Sequence, residues 1–135
     1  MRKILRFLLV STAAVTAAGA SDTKRPGPYE RERLQLEREM SRLTAGKPVE
    51  CIDTRFNNVA VKSIDKKLIY RVSRNKIYVS DTTGGCEAVA RGDVLVTRQF
   101  GSRLCRGDMA TTVDRLSRFT TGSCAIGAFT PYTGG

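Results

Sequence analysis

The chain has 135 residues, with 23 lysines and arginines against 13 aspartates and glutamates, four cysteines and no histidine. That length suits one domain, and a net charge of +10 favours polyanionic partners over cationic ones. Without histidine there is no Ser-His or Cys-His base and no imidazole general acid, which excludes the commonest hydrolase constellations.

Residues 1–20 read as a cleaved secretory signal. Arg2, Lys3 and Arg6 supply a positive start, and residues 7–18 form an apolar run interrupted only by Ser11, Thr12 and Thr16. Ala18-Gly19-Ala20 then offers small residues at both positions a signal peptidase reads, so Ser21 is the expected mature N-terminus. The run is short for a bilayer, which takes about 20 apolar residues, so no transmembrane anchor is expected. No cysteine follows the cut, and a lipoprotein attachment is not expected either. Three of the basic residues lie in the signal, so the mature part keeps a net charge of about +7. In a periplasm or outside the cell the matching partner is an anionic envelope component or an envelope protein, and no nucleic acid is expected.

Residues 21–28 form a polar linker with two prolines. A helix is expected over residues 29–46, with Pro28 tolerated at its first turn and Gly46 and Pro48 as its stop. Tyr29, Leu36, Met40 and Leu43 share one stripe, with Leu34 beside it. Glu30–Arg33, Arg33–Glu37 and Glu39–Arg42 stand at pairing distance along the helix. So thin a stripe suits a solvated helix packed on the domain better than a coiled-coil arm. Arg31, Arg33, Arg38 and Arg42 make this helix basic.

From residue 49 the apolar period changes to two, and residues 49–132 read as a small β domain. Strands are expected over 49–54, 59–64, 68–72, 76–80, 94–100 and 109–113, with a last apolar piece over 124–129. Leu68, Tyr70 and Val72 share one face, as do Ile77 and Val79. Ser73-Arg74-Asn75 joins these two strands, Asn75 being able to take a left-handed conformation. Asn57-Asn58 and Asp65-Lys66 read as two further turns. The expected fold is mainly β, a small antiparallel barrel or sandwich braced by disulfides and preceded by one amphipathic helix. A core drawn from about 84 residues is marginal alone, so covalent staples make thermodynamic sense.

The staples are Cys51, Cys86, Cys105 and Cys124. An even count in an oxidising compartment points to two disulfides. Zinc and C-x-x-C redox chemistry are disfavoured, because successive cysteines stand about 19 or more residues apart. Three pairings are open; Cys86–Cys105, bracketing the 94–100 strand, with Cys51–Cys124, tying first strand to last, is the expected one.

Two motifs invite sharper readings. Arg-Gly-Asp occurs at Arg91-Gly92-Asp93 and Arg106-Gly107-Asp108, each just before an apolar strand, where Gly-Asp commonly turns the chain. Ser63-Ile64-Asp65-Lys66 fits the S-x-x-K nucleophile pattern but sits at a strand end, lacks companion motifs and belongs to a chain too short for that fold. Asp53, Asp65, Asp81, Asp93, Asp108 and Asp114 supply carboxylates, most beside turn residues. No catalytic, cofactor-binding or metal-binding residue emerges. The expected function is a non-enzymatic binding or structural module of the envelope; the alternative is a small hydrolase using an aspartate pair that includes Asp53 or Asp108.

Cys51-Ile52-Asp53-Thr54-Arg55, Gly85-Cys86, Leu104-Cys105-Arg106-Gly107-Asp108 and Cys124-Ala125-Ile126-Gly127-Ala128-Phe129 together carry a resemblance. In this order they resemble a family of small exported proteobacterial four-cysteine proteins with a domain of unknown function, whose pattern runs C-I-D-x-R, a tyrosine-containing strand, G-C-x-x-L, L-C-x-x-D and C-x-L-G-x-F. The match spans residues 51–129. Val89 and Ile126 stand where the pattern has leucine, and both keep the position apolar. The resemblance implies a periplasmic or envelope location and carries over no activity, cofactor or catalytic residue.

Overall fold

The computed structural model describes residues 24–55 and 59–135; the export signal and the Asn57-Asn58 turn lie outside the described residues. Helix α1 spans Pro28–Ser41, with its proline in the first turn as expected. It ends earlier than the expected residue 46. Residues beyond it leave the helix to form β1, Thr44–Ala45, which pairs with Thr133 and Tyr132, and the Gly46 N–H donates to the Pro131 carbonyl at 2.7 Å. A strand edge offering unpaired backbone groups outcompetes one more helical turn next to a glycine.

The strands that follow are β2 (Cys51–Asp53), β3 (Ala60–Ile64), β4 (Lys67–Ser73), β5 (Lys76–Thr82), β6 (Val94–Arg98), β7 (Arg103–Cys105), β8 (Met109–Val113) and β9 (Thr120–Thr133). A short 3-10 turn, Glu87–Arg91, separates β5 from β6. Those expected from period-two patterning are present, and β8 keeps its expected bounds. The 3-10 turn, β1 and β7 had no such signal, and β9 runs well past the expected 124–129. The chain is mainly β. One antiparallel sheet takes the order β3-β4-β5-β9-β8-β6, with β1 also on β9, and β2 with β7 forms a separate ribbon. The long sheet curls into a half-barrel around β9. One edge of β9 meets β5. The other meets β8 in its first half, then Val49 and β1 in its second.

Both faces of β4 and β5 are covered. Leu68, Tyr70, Ile126 and Phe129 point inward, with Ile52 and Leu104 of the ribbon and the half-cystines Cys86 and Cys124. Ile69, Ile77 and Val79 point outward under Leu36 of α1, with Met40 and Leu43 beside it. The helix therefore packs one narrow stripe on the sheet, while Tyr29 and Leu34 stay exposed. Ion pairs seat it: Arg33 with Asp65, Glu32 with Lys62, and Glu39 with Arg71.

Asp65-Lys66 is a turn, with Asp65 at φ 51°. Asn75 does not take the left-handed conformation expected of it; a register shift between Arg71 and Ser73 supplies the bend of the β4–β5 hairpin instead.

All four cysteines are oxidised, but the expected pairing is wrong. The bridges are Cys51–Cys105 and Cys86–Cys124. Cys51 and Cys105 are opposed in the β2–β7 ladder, their Cα atoms 4.0 Å apart. Cys86 meets Cys124 because the chain entering the 3-10 turn passes directly over β9. A Cβ placed on Gly122 would lie 1.9 Å from the Gly85 carbonyl oxygen, so only a glycine permits this approach. Gly122→Ala is therefore expected to destabilise by about 1–3 kcal/mol, the usual cost of overpacking. A urea midpoint unchanged from the parent would contradict the crossing.

Candidate functional site

Arg31, Gln35 and Arg38 of α1 and Arg42 at its C-cap follow one another at helical spacing, on the side away from Leu36, and Arg42 also borders Arg71 and Arg74 of the β4–β5 hairpin. With Glu39 they line an open surface groove of about 450 Å³. Arg38 uses its Nε to reach the Leu34 carbonyl at 3.1 Å. Among the described residues, no carboxylate pairs with Arg31, Arg38 or Arg42, whereas Glu39 is already engaged by Arg71. The expected four-arginine set thus loses one member. Arg33 bonds Glu37 at 3.1 Å and approaches Asp65 at 3.8 Å, and the Glu37 hydrogen bond chiefly raises its pKa further. The remaining face carries three guanidinium groups that can offer paired N–H donors to phosphate or carboxylate.

The six aspartates are held by different neighbours. Asp53 is bound by Arg55 at 2.9 Å, and that side-chain hydrogen bond is the main reason its carboxyl titrates below the usual range. Asp65 meets Arg33, Asp81 meets Lys67 at 3.1 Å, and Asp93 accepts from Thr121. Asp108 accepts the Cys105 N–H at 2.8 Å. Asp114 accepts from Ser117 and Leu116 within its own turn, which lowers its pKa, Ser117 backbone first. Asp53, Asp108 and Asp114 thus do the local work expected of aspartate beside turn residues, whereas Asp65, Asp81 and Asp93 meet partners on other elements. The described residues contain no group of three or more acidic, cysteine or histidine side chains able to hold a metal.

The two motifs find structural roles. Gly92 caps the 3-10 turn at φ 100°, and Gly107 turns the chain at φ 90° between β7 and β8, so both Arg-Gly-Asp copies are turns. The Ser63 hydroxyl is buried and donates to the Glu87 carbonyl at 3.3 Å, while Lys66 lies in the next turn against Gly84. They do not share the helical turn a Ser-Lys pair needs.

Two features escaped sequence reasoning. The Tyr70 hydroxyl is buried without a hydrogen-bond partner among the described residues, beside a cleft of about 270 Å³ between the sheet's edge strands β3 and β6. Burial raises its pKa well above that of free tyrosine. The other is the β8–β9 connection, where Leu116 and Phe119 project into solvent between arginines. Its only sequence signal was the alternation Arg115-Leu116-Ser117-Arg118-Phe119.

Comparison with protein-family models, with curated proteins and with solved structures returned no match. Among the described residues, no helix is long and apolar enough to cross a membrane.

Proposed function

We propose that this protein is a non-enzymatic binding module of the periplasm or extracellular face that contacts an anionic component of the cell envelope. The observation that carries this reading is the outer face of α1, where Arg31, Arg38 and Arg42 stand together without carboxylate partners among the described residues. Leaving three guanidiniums unpaired beside one another is unfavourable in the free protein and becomes favourable on meeting an anion. Two disulfides fit an oxidising compartment, in keeping with the expected export signal and with the resemblance to small exported four-cysteine proteins.

The test is co-sedimentation of the mature protein with envelope fractions across a salt series. Association should fall as ionic strength passes about 0.15 M, where screening acts beyond roughly 8 Å. Replacing Arg31, Arg38 and Arg42 together with glutamine should weaken it about a hundredfold at low salt, each cation near an anionic surface contributing about 1 kcal/mol. Stability should move by no more than about 0.5 kcal/mol per substitution, since the side chains are on the surface. Association indifferent both to salt and to the triple substitution would refute the proposal.

A further inference from the structure

The outer surface of the sheet is unevenly covered. Leu36, Met40 and Leu43 lie over β4 and β5. At the other end of the sheet, Val94 and Val96 of β6 and Met109 of β8 are exposed. The β6–β8 register places Val94 opposite Val113 and Val96 opposite Thr111, so these residues form one outward row. The row leads into the β8–β9 tip, where Leu116 is 94% exposed and Phe119 75%. A shallow groove of about 370 Å³ lies between them, lined by Val94, Val96, Val113, Asp114, Arg115 and Arg118.

The tip is held rigidly. The Asp114 N–H donates to the Phe119 carbonyl, and the Arg118 N–H to the Asp114 carbonyl, both at 3.0 Å. One oxygen of Asp114 accepts from the Leu116 N–H, the Ser117 N–H and the Ser117 hydroxyl at 2.7–3.0 Å. Arg118 takes φ 62°, the left-handed region that a non-glycine residue seldom occupies. Arg115 is anchored to the Gly92 carbonyl at 2.6 Å. Leu116 and Phe119 thus project from an ordered turn. The acidic groups nearby are spent: Asp114 closes the turn and Asp93 accepts from Thr121. Arg98 on the same outward row, Arg115 and Arg118 have no carboxylate partner among the described residues.

From this geometry we propose that the β8–β9 tip and the adjoining β6–β8 face insert into the surface of an anionic phospholipid bilayer, with Leu116 and Phe119 entering the acyl boundary and Arg98, Arg115 and Arg118 meeting the headgroups. This rests on the anionic-envelope reading and names one such component. Projecting apolar side chains interleaved with arginines match the layering of a bilayer interface, where long cationic side chains reach up to phosphates from an apolar base. A second copy of this chain is the poorer occupant, because closing two such faces together would oppose arginine with arginine.

The chain has no tryptophan, so Phe119→Trp places a single fluorescent reporter at the tip. With the mature protein and vesicles of phosphatidylglycerol and phosphatidylethanolamine, its emission should shift to the blue, and it should not with phosphatidylcholine alone. Leu116→Ser with Phe119→Ser should reduce vesicle flotation about tenfold or more while leaving the thermal melt unchanged. Arg115→Gln with Arg118→Gln should reduce it about thirtyfold at low salt, and less at high salt. Flotation that ignores every tip substitution but falls with the α1 arginines would overturn this inference and leave the anionic-envelope reading standing. So would binding to anionic wall polymer or to an acidic envelope protein with none to vesicles. A sedimenting dimer dissolved by Leu116→Ser with Phe119→Ser would overturn it in favour of self-association. Failure to bind any anionic envelope material would sink both.

Discussion

Replacing Cys86 and Cys124 together with alanine is expected to lower the unfolding free energy by about 4 kcal/mol. The bridge spans 38 residues, and opening it restores the entropy of that loop to the unfolded chain. Both half-cystines are buried in the inner core beside Phe129 and Ile126, so the alanines also leave unfilled volume. The contrast with Cys51–Cys105 decides which effect dominates. That bridge spans 54 residues, so loop entropy alone would make it slightly the more valuable. Its half-cystines are only partly buried, however, and they face each other across a ladder already hydrogen-bonded through Ile52 and Leu104. We therefore expect the Cys51→Ala, Cys105→Ala double variant to be the less damaged of the two. Urea denaturation of both variants measures the order, and the reverse order would show that packing at Cys86–Cys124 is not decisive. Non-reducing peptide mapping of the parent should recover Cys51 linked to Cys105; recovery of Cys86 linked to Cys105 would contradict the observed crossing.

Phe129→Ala is expected to cost about 3–5 kcal/mol. Its side chain is fully buried and meets Tyr70 edge-on, ring centroids 5.6 Å apart at 69°. Its backbone exchanges hydrogen bonds of 2.8 and 2.9 Å with Val49, and in the register it stands opposite Ser80 of β5. The residue therefore joins both sides of the central strand to the inner core, and collapse around a smaller side chain is restricted. Phe100, 98% exposed, is the internal control, and its alanine variant should stay within about 0.5 kcal/mol of the parent. Comparable losses at the two positions, by urea or thermal melting, would refute the assignment of Phe129 to the core.

What the sequence determined alone was local. Period-two alternation located β3, β4, β5, β6 and β8 because each strand's faces are sorted by its own side chains. The apolar stripe of α1 likewise named Leu36, Met40 and Leu43 as its packing face, and the even cysteine count indicated two bridges. The tertiary structure decided whatever depended on a partner far along the chain. β7 has only three residues and no periodic signal, and it exists because Asp53, Ile52 and Cys51 lie opposite Arg103, Leu104 and Cys105. That pairing opposes Cys51 and Cys105, while the crossing of Gly85 over Gly122 brings Cys86 to Cys124, and neither could be seen from cysteine spacing. Residues 44 and 45 left the helical pattern because the edge of β9 offered backbone partners about 90 residues away. At α1 the sequence named four arginines, but the fold spent Arg33 on Asp65 and Glu37. At the β8–β9 tip it was exposure, which no single-sequence pattern reports, that set Leu116 and Phe119 apart from core residues of the same chemistry.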